Sequence, residues 1–144
     1  MDEFKKELFE KEHSVNFPKY KTLNNFESQK ILDDLSKKYN IDASNFAKEL
    51  VGRQSSYDSL YNDSLDGFEL RVTLANIGIE PFNQIFINWN KFEVLDVFDT
   101  DDLDKYFDDI WFPVSDDIDL FDKSMDWILS ISHYGTVTFL LNQP

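Results

Sequence analysis

The chain has no cysteine, and it has only two histidines and four glycines in 144 residues. The absence of cysteine excludes disulfides, thiolate zinc sites, iron–sulfur clusters and cysteine nucleophiles. Two histidines are too few for a three-histidine metal centre. The glycines form neither GxGxxG nor GxxxxGKS/T, and no serine stands in GxSxG, so these nucleotide-binding and hydrolase motifs are also missing. The sequence therefore predicts no cofactor, no dedicated metal site and no catalytic residue.

Long apolar runs are absent as well. No stretch approaches the roughly 20 apolar residues of a membrane-spanning helix, and residues 1–7 are too charged to form the apolar core of a signal peptide. The chain is nevertheless 42% hydrophobic and contains 14 phenylalanines, which is enough to bury a core without disulfides. We therefore expect a single domain over residues 1–144 and a cytoplasmic location.

Basic side chains are scarce, and the excess of acidic over basic residues is concentrated in one part of the chain. Asp and Glu total 28 against 14 Lys and Arg, for a net charge of −14. Residues 91–126, which we call the acidic segment, hold 13 acidic and three basic residues, a net charge of −10. This charge repels nucleic acid and anionic membranes and favours encounter with a basic protein. Solvated loops also carry such runs, but crowded like charges lower folding stability, so we treat the segment as a candidate binding surface.

Helical spacing of apolar residues dominates residues 1–52. The expected helices cover residues 2–12, 24–39 and 42–52. Asn24 or Asn25 is the expected N-cap of the second helix, and Gly52 is expected to end the third.

Alternation of apolar and polar residues dominates residues 67–144, which predicts mainly strands. The expected strands cover residues 68–74, 85–89, 118–120, 127–131 and 137–141. A short helix is expected near residues 101–107, and the linker from His133 to Gly135 has the length and the glycine of a hairpin turn. The pattern predicts an α+β fold, in which N-terminal helices pack on a mainly antiparallel C-terminal sheet that ends in a hairpin.

One histidine and one acidic run resemble a catalytic residue and a calcium-binding loop, but neither matches fully. His133 stands at the expected hairpin turn, where a histidine paired with a carboxylate can act as a general base. A turn histidine bonded to nearby backbone explains the same position. The acidic run that begins at Asp99 resembles an EF-hand loop, but Leu103 and Ile110 occupy positions that need oxygen ligands.

Two runs in the second half of the chain are distinctive. Residues 111–122 read WFPVSDDIDLFD, and residues 127–135 read WILSISHYG. Together they resemble the C-terminal segment of small bacterial immunity proteins from toxin–immunity systems, including contact-dependent growth inhibition. The resemblance implies a protein that binds and neutralises a cognate toxin domain, often a nuclease with a basic cleft, and it brings no catalytic motif.

Carboxylates close to aromatic residues are the expected contacts with such a partner. Carboxylates can pair with the lysines and arginines that otherwise hold phosphate, and aromatic side chains can anchor an interface. The candidate partner-binding residues are Asp101, Asp102, Asp104, Asp108, Asp109, Trp111, Phe112, Asp116, Asp117 and Asp119. An acidic nucleic-acid mimic or regulatory adaptor that binds a host protein is the main alternative. A His133-dependent hydrolase and a divalent-metal-binding protein are less favoured.

Overall fold

The computed structural model describes residues 1–57, 68–89 and 93–142, which form an α+β fold as the sequence predicts. The helices are α1 (Glu3–His13), α2 (Asn25–Tyr39), α3 (Phe46–Arg53), α4 (Leu70–Ile77), α5 (Thr100–Lys105) and α6 (Phe107–Ile110). The strands are β1 (Tyr20–Thr22), β2 (Ser55–Ser56), β3 (Gln84–Asn88), β4 (Leu95–Asp99), β5 (Ile118–Phe121), β6 (Trp127–Ile131) and β7 (Val137–Leu141).

These strands form one antiparallel sheet in the order β1-β4-β3-β5-β6-β7-β2. The pairing of β6 with β7, from Trp127 opposite Leu141 to Ile131 opposite Val137, confirms the predicted C-terminal hairpin. Both edge strands come from the N-terminal half of the chain and have only three and two residues. Short edge strands offer little template for pairing with another chain.

Helices cover both faces of the sheet. Because side chains alternate along a strand, Ile85 and Ile87 of β3 point to one face and Phe86 points to the other. We call the face that carries α1, α4, α5 and α6 the first face. The face that carries α2 and α3 is the second face. Each face buries its own hydrophobic cluster, so the sheet lies between two apolar layers.

Helix α2 has both of its ends fixed. Glu27 N donates to Asn24 Oδ1 (2.8 Å) and Asn24 N donates to Glu27 Oε1 (3.3 Å), which is a complete capping box. At the other end, the Arg53 guanidinium donates to Tyr39 O (2.6 Å) and Asn40 O (3.0 Å). The arginine supplies donors to carbonyls at the end of α2 and joins α3 to α2 on the second face.

The prediction that Gly52 ends the third helix is wrong. Helix α3 continues to Arg53, and its C-cap is Gln54. A glycine ends a helix when the chain needs a left-handed residue there, but Gln54 is extended (φ −77°, ψ 147°). No left-handed residue is required, so the helix runs one residue further.

The predicted strand at residues 68–74 is also wrong, because this segment belongs to helix α4. Leu70 and Leu74 are fully buried, whereas Val72, which strand alternation would bury with them, is half exposed. The buried spacing of four residues fits one face of a helix. Gly78 closes the helix with φ 89°, a left-handed conformation that glycine adopts without steric cost.

Candidate functional site

The acidic segment does not form one surface. Leu103 of α5 and Ile110 of α6 lie in the core of the first face. Asp119 points to the second face, because its neighbours Ile118 and Leu120 point to the first. The structure therefore divides the predicted contacts into an α5–α6 group (Asp101, Asp102, Asp104, Asp108, Asp109) and a β5 group (Trp111, Phe112, Asp116, Asp117, Asp119).

Part of the charge of the α5–α6 group is balanced within the chain. Arg71 of α4 donates to Asp101 Oδ1 from Nε (3.1 Å) and from Nη2 (2.5 Å). The backbone N of Arg71 donates to Asp104 Oδ1 (3.1 Å). The ion pair is exposed to solvent, where such pairs contribute little to stability. Asp102, which follows Asp101 on α5, is half-buried.

Asp108 and Asp109 lie beside the end of α1. Partial burial, followed by the neighbouring Asp109 carboxylate, raises the pKa of Asp108 above its usual value. The Nε2 atom of His13 lies 3.3 Å from the Asp109 carboxylate. Glu12, His13 and Asp109 each have a ligand atom within 4.8 Å of the others. These surface donors can hold a divalent cation only together with water, because they supply few ligands.

Asp116 is a structural residue in a buried ion pair. Its Oδ2 accepts from Lys5 Nζ (2.5 Å) and from Phe112 N (2.8 Å). Lys5 is only 3% exposed, donates to Ile110 O (2.8 Å) and lies 4.3 Å from the ring centroid of Trp89. A buried charge needs such a partner, so the pair fixes α1 to the segment that precedes β5.

Trp111 lies in the core and not at the surface. It is 1% exposed, its ring stacks on Phe107 at 5.9 Å between centroids, and its Nε1 donates to Asp116 O (3.0 Å). The expectation that it anchors a partner does not fit this position. Its neighbour Phe112 is half-buried and touches exposed Phe4 of α1 edge to face, at 6.2 Å between centroids.

Val114 occupies a strained turn between α6 and β5. Its φ is 76°, and its side chain is 85% exposed. A β-branched residue in this left-handed region is an outlier that costs about 1–2 kcal/mol. The turn is fixed because Asp116 N donates to Phe112 O (3.1 Å) and Val114 N donates to His133 O (2.9 Å). The fold therefore holds an apolar side chain in water at an energetic cost.

The hairpin tip between β6 and β7 lies directly beside that turn. Tyr134 is 76% exposed, and its ring centroid lies 4.0 Å from that of His133. Asp117 Oδ1 accepts from His133 N (2.7 Å) and lies 2.8 Å from His133 Nδ1. Gly135 adopts φ 88°, as the tight turn requires. Asp117 thereby fixes both the backbone and the ring of His133.

We call Phe4, Phe112, Val114 and Tyr134 the end surface. The rings of Phe4 and Phe112 are in contact, and Val114 lies two residues after Phe112. The backbone N of Val114 donates to His133 O, which precedes Tyr134 at the hairpin tip. The half-exposed Asp117 carboxylate lies among them. Apolar anchors beside charged groups are the usual composition of a protein-binding surface. Sequence reasoning did not select Phe4, Val114 or Tyr134, although a residue at a hairpin tip is expected to be exposed.

A cavity of about 290 Å³ adjoins the end surface on the second face. Its apolar wall includes Ala47, Leu50 and Val51 of α3. Its polar wall includes Asp117 and Asp119. The described lining also includes Ser132 and Thr136, which flank the hairpin tip, but it does not include His133. The histidine therefore does not line this cavity together with the two carboxylates.

Asp119 is an enclosed carboxylate of this cavity. It accepts from Ser130 Oγ (2.5 Å) and Asn88 Nδ2 (2.9 Å), while Gln54 Nε2 donates to Ser130 Oγ (2.6 Å). Burial raises the pKa of Asp119, and the two hydrogen bonds oppose that rise. The side chain is enclosed by the protein and reaches solvent only partly. Within the described part of the chain, no lysine or arginine pairs with it.

Comparison of the chain with protein-family models, with curated proteins and with solved structures found no match. Among the helices of the described ranges, none has the length and apolar character needed to cross a membrane.

Proposed function

We propose that this protein is an immunity protein that binds and neutralises a cognate toxin domain in the bacterial cytoplasm. The toxin domain carries a basic surface, and a nuclease is the expected class. The observation that carries the proposal is Val114, an apolar residue kept 85% exposed in a left-handed turn. It stands beside exposed Tyr134.

Strain at Val114 supports binding because strained positions cluster where a molecule binds or reacts. A polar residue would suit an exposed turn better, and asparagine would also suit its backbone. The valine serves neither the turn nor the core. Contact with a partner would bury its side chain and recover apolar stabilisation.

The acidic character supports a basic partner. The net charge of −14 attracts a positively charged domain and raises the rate of encounter. The α5–α6 group contributes to that field even where its carboxylates touch no partner. Affinity then depends on the end surface, since a few central anchors supply most of the binding energy of an interface.

Inhibition is steric and electrostatic in this proposal. The protein covers the toxin's phosphate-binding cleft or a surface next to it, and carboxylates such as Asp117 pair with the toxin's cations. No reaction is required of the inhibitor.

The test uses the full chain and the basic domain encoded by the neighbouring gene. We expect a complex of nanomolar or tighter affinity that weakens as salt rises, because steering charges are screened. Tyr134→Ala should weaken it about tenfold or more, as truncation of a central anchor does. Phe26→Ala is the matched control, since Phe26 is an exposed aromatic residue at the start of α2.

Val114→Asn separates binding from stability. Asparagine tolerates the left-handed turn, so the variant should unfold at higher denaturant concentration while binding the domain more weakly. Lack of association at low salt, or equal affinities for Tyr134→Ala and Phe26→Ala, would overturn the proposal. A host DNA-binding protein as the partner would support the adaptor alternative instead.

A further inference from the structure

The cavity beside the end surface is small. Its volume of about 290 Å³ lies at the lower limit of the range of about 300–1,000 Å³ that is typical of drug-sized ligands. A single long side chain can enter a space of this size.

The lining is apolar along one side and anionic at the other. Ala47, Leu50 and Val51 offer aliphatic contacts, and Asp117 and Asp119 offer carboxylates. None of the described residues that line the cavity is basic. A ligand with an aliphatic stem and a cationic end matches this arrangement, since lysine and arginine side chains bury their stems along apolar surface while the head keeps polar partners.

Among the residues that the structure describes, none supplies Asp119 with the counter-charge that buried carboxylates normally have. Its two hydrogen-bond donors, Ser130 Oγ and Asn88 Nδ2, are neutral groups. Neutral donors orient a carboxylate but do not balance its charge. An incoming cation would supply that balance in an environment where little water screens the attraction.

We propose that the cavity receives a lysine or arginine side chain of the bound partner, whose cationic end pairs with Asp119 and Asp117. The inference rests on the proposed function, because the cavity opens next to the residues that carry the end surface. Asp117 connects the two places, since it lines the cavity and also holds His133 beside Tyr134. A partner on the end surface therefore has the cavity within reach.

The first test uses N-butylguanidine, which reproduces an arginine stem and head, and its neutral isostere N-butylurea. Each is titrated into the isotopically labelled full chain and followed by amide NMR shifts. We expect N-butylguanidine to bind at millimolar concentration and to shift the Gln54 side-chain amide, which touches Ser130 in the Asp119 network. Asp119→Asn should weaken this binding about tenfold or more, because a charge-assisted hydrogen bond is lost.

Asp34→Asn is the matched control, because it removes the same charge from an exposed position on α2. Its affinity for N-butylguanidine should equal that of the wild type. Equal shifts with N-butylurea, no shift at Gln54, or equal affinities of the two variants would overturn the inference.

The second test separates this inference from the proposed function. With the toxin domain as ligand, Asp119→Asn should weaken the complex while Asp34→Asn does not. If Tyr134→Ala weakens the complex but Asp119→Asn leaves it unchanged, the inhibitor function stands and the cavity inference fails. If N-butylguanidine binds at Asp119 but the toxin domain does not associate, the proposed function fails and the cavity is a site for free guanidinium compounds, which also overturns the partner side chain as its occupant.

Discussion

Asp116 and Asp119 are three residues apart, Asp116 just before β5 and Asp119 within it, but their carboxylates have different partners. Asp116 pairs with buried Lys5 at 2.5 Å. Asp119 is enclosed as well, but its partners are the neutral side chains of Ser130 and Asn88. Within residues 1–57, 68–89 and 93–142, a cation therefore balances the charge of Asp116, and none balances that of Asp119.

The difference teaches which charge serves the fold and which is available for a partner. The Lys5–Asp116 pair is satisfied and holds α1 in place, so adding a ligand there would gain little. A charge that burial disfavours and that no cation balances lowers stability. Carboxylates with raised pKa values cluster at functional sites, so we propose a recognition role for Asp119, whereas Asp116 has a structural role.

The largest expected effect comes from breaking the balanced pair. Lys5→Met keeps the apolar stem but leaves Asp116 enclosed without a cation. We expect the free energy of unfolding to fall by about 3 kcal/mol, as when one member of a buried pair is removed. Urea denaturation followed by tryptophan fluorescence measures the loss.

Two further variants make the Lys5 measurement decisive. Lys5→Met with Asp116→Asn should recover part of the loss, because the unpaired charge is then gone. Lys11→Ala, at an exposed position of the same helix, should change stability by less than about 0.5 kcal/mol. A Lys5→Met loss no larger than that of Lys11→Ala would contradict the structural role.

An intermediate effect, of opposite sign, is expected at Asp119. Removing its unbalanced charge in Asp119→Asn should raise the free energy of unfolding at neutral pH by about 1 kcal/mol, offset in part by weaker hydrogen bonds. The same variant is expected to bind the partner less well. A variant that gains stability but loses binding indicates that the original residue serves function at a cost in stability.

The pH dependence of that gain follows from the raised pKa of Asp119. The folded state holds the proton more tightly than the unfolded state, whose value is near 3.8. The stability contribution of Asp119 therefore falls as pH rises from about the unfolded value through the folded pKa, and it is constant above. Denaturation curves across this range should show the gain of Asp119→Asn at neutral pH and its disappearance below pH 4. A gain independent of pH would rule out this explanation.

The smallest effect belongs to the exposed pair Arg71–Asp101. Asp101→Asn should lower the free energy of unfolding by less than about 0.5 kcal/mol, and added salt should abolish the difference, because the pair is exposed to solvent. The same denaturation assay at low and high salt measures it. If Asp101→Asn lowered the free energy of unfolding as much as Lys5→Met does, solvent exposure would not explain the difference between the two ion pairs.

The sequence predicted the elements whose signals are local. Asn24 and Glu27 form the capping box of α2, and the hairpin turn required a glycine at 135, so both could be placed from neighbouring residues. The strand prediction for residues 68–74 failed because Leu70 and Leu74 fit both a strand and a helix, and only contacts distant in sequence decide between them.

The candidate site was predictable in composition but not in arrangement. An excess of acid in residues 91–126 is visible in the sequence. The burial of Trp111 and the pairing of Lys5 with Asp116 depend on segments that are far apart along the chain. The same holds for the neutral partners of Asp119, which has no counter-charge among the described residues. The left-handed backbone of Val114 could not be predicted from the sequence, because valine is among the residues least expected in that conformation.

Contacts between distant parts of the chain determine when the fold is completed. The edge strand β2 pairs with β7, and Lys5 reaches Asp116 across 111 positions of the chain. Contacts so distant in sequence form late, because long loops must close first. During synthesis the turn at Val114 has no His133 carbonyl to bind until the hairpin has emerged. The end surface is therefore completed only after the β6–β7 hairpin has been synthesised, and a chain that stops before this hairpin would lack the shape that a partner recognises.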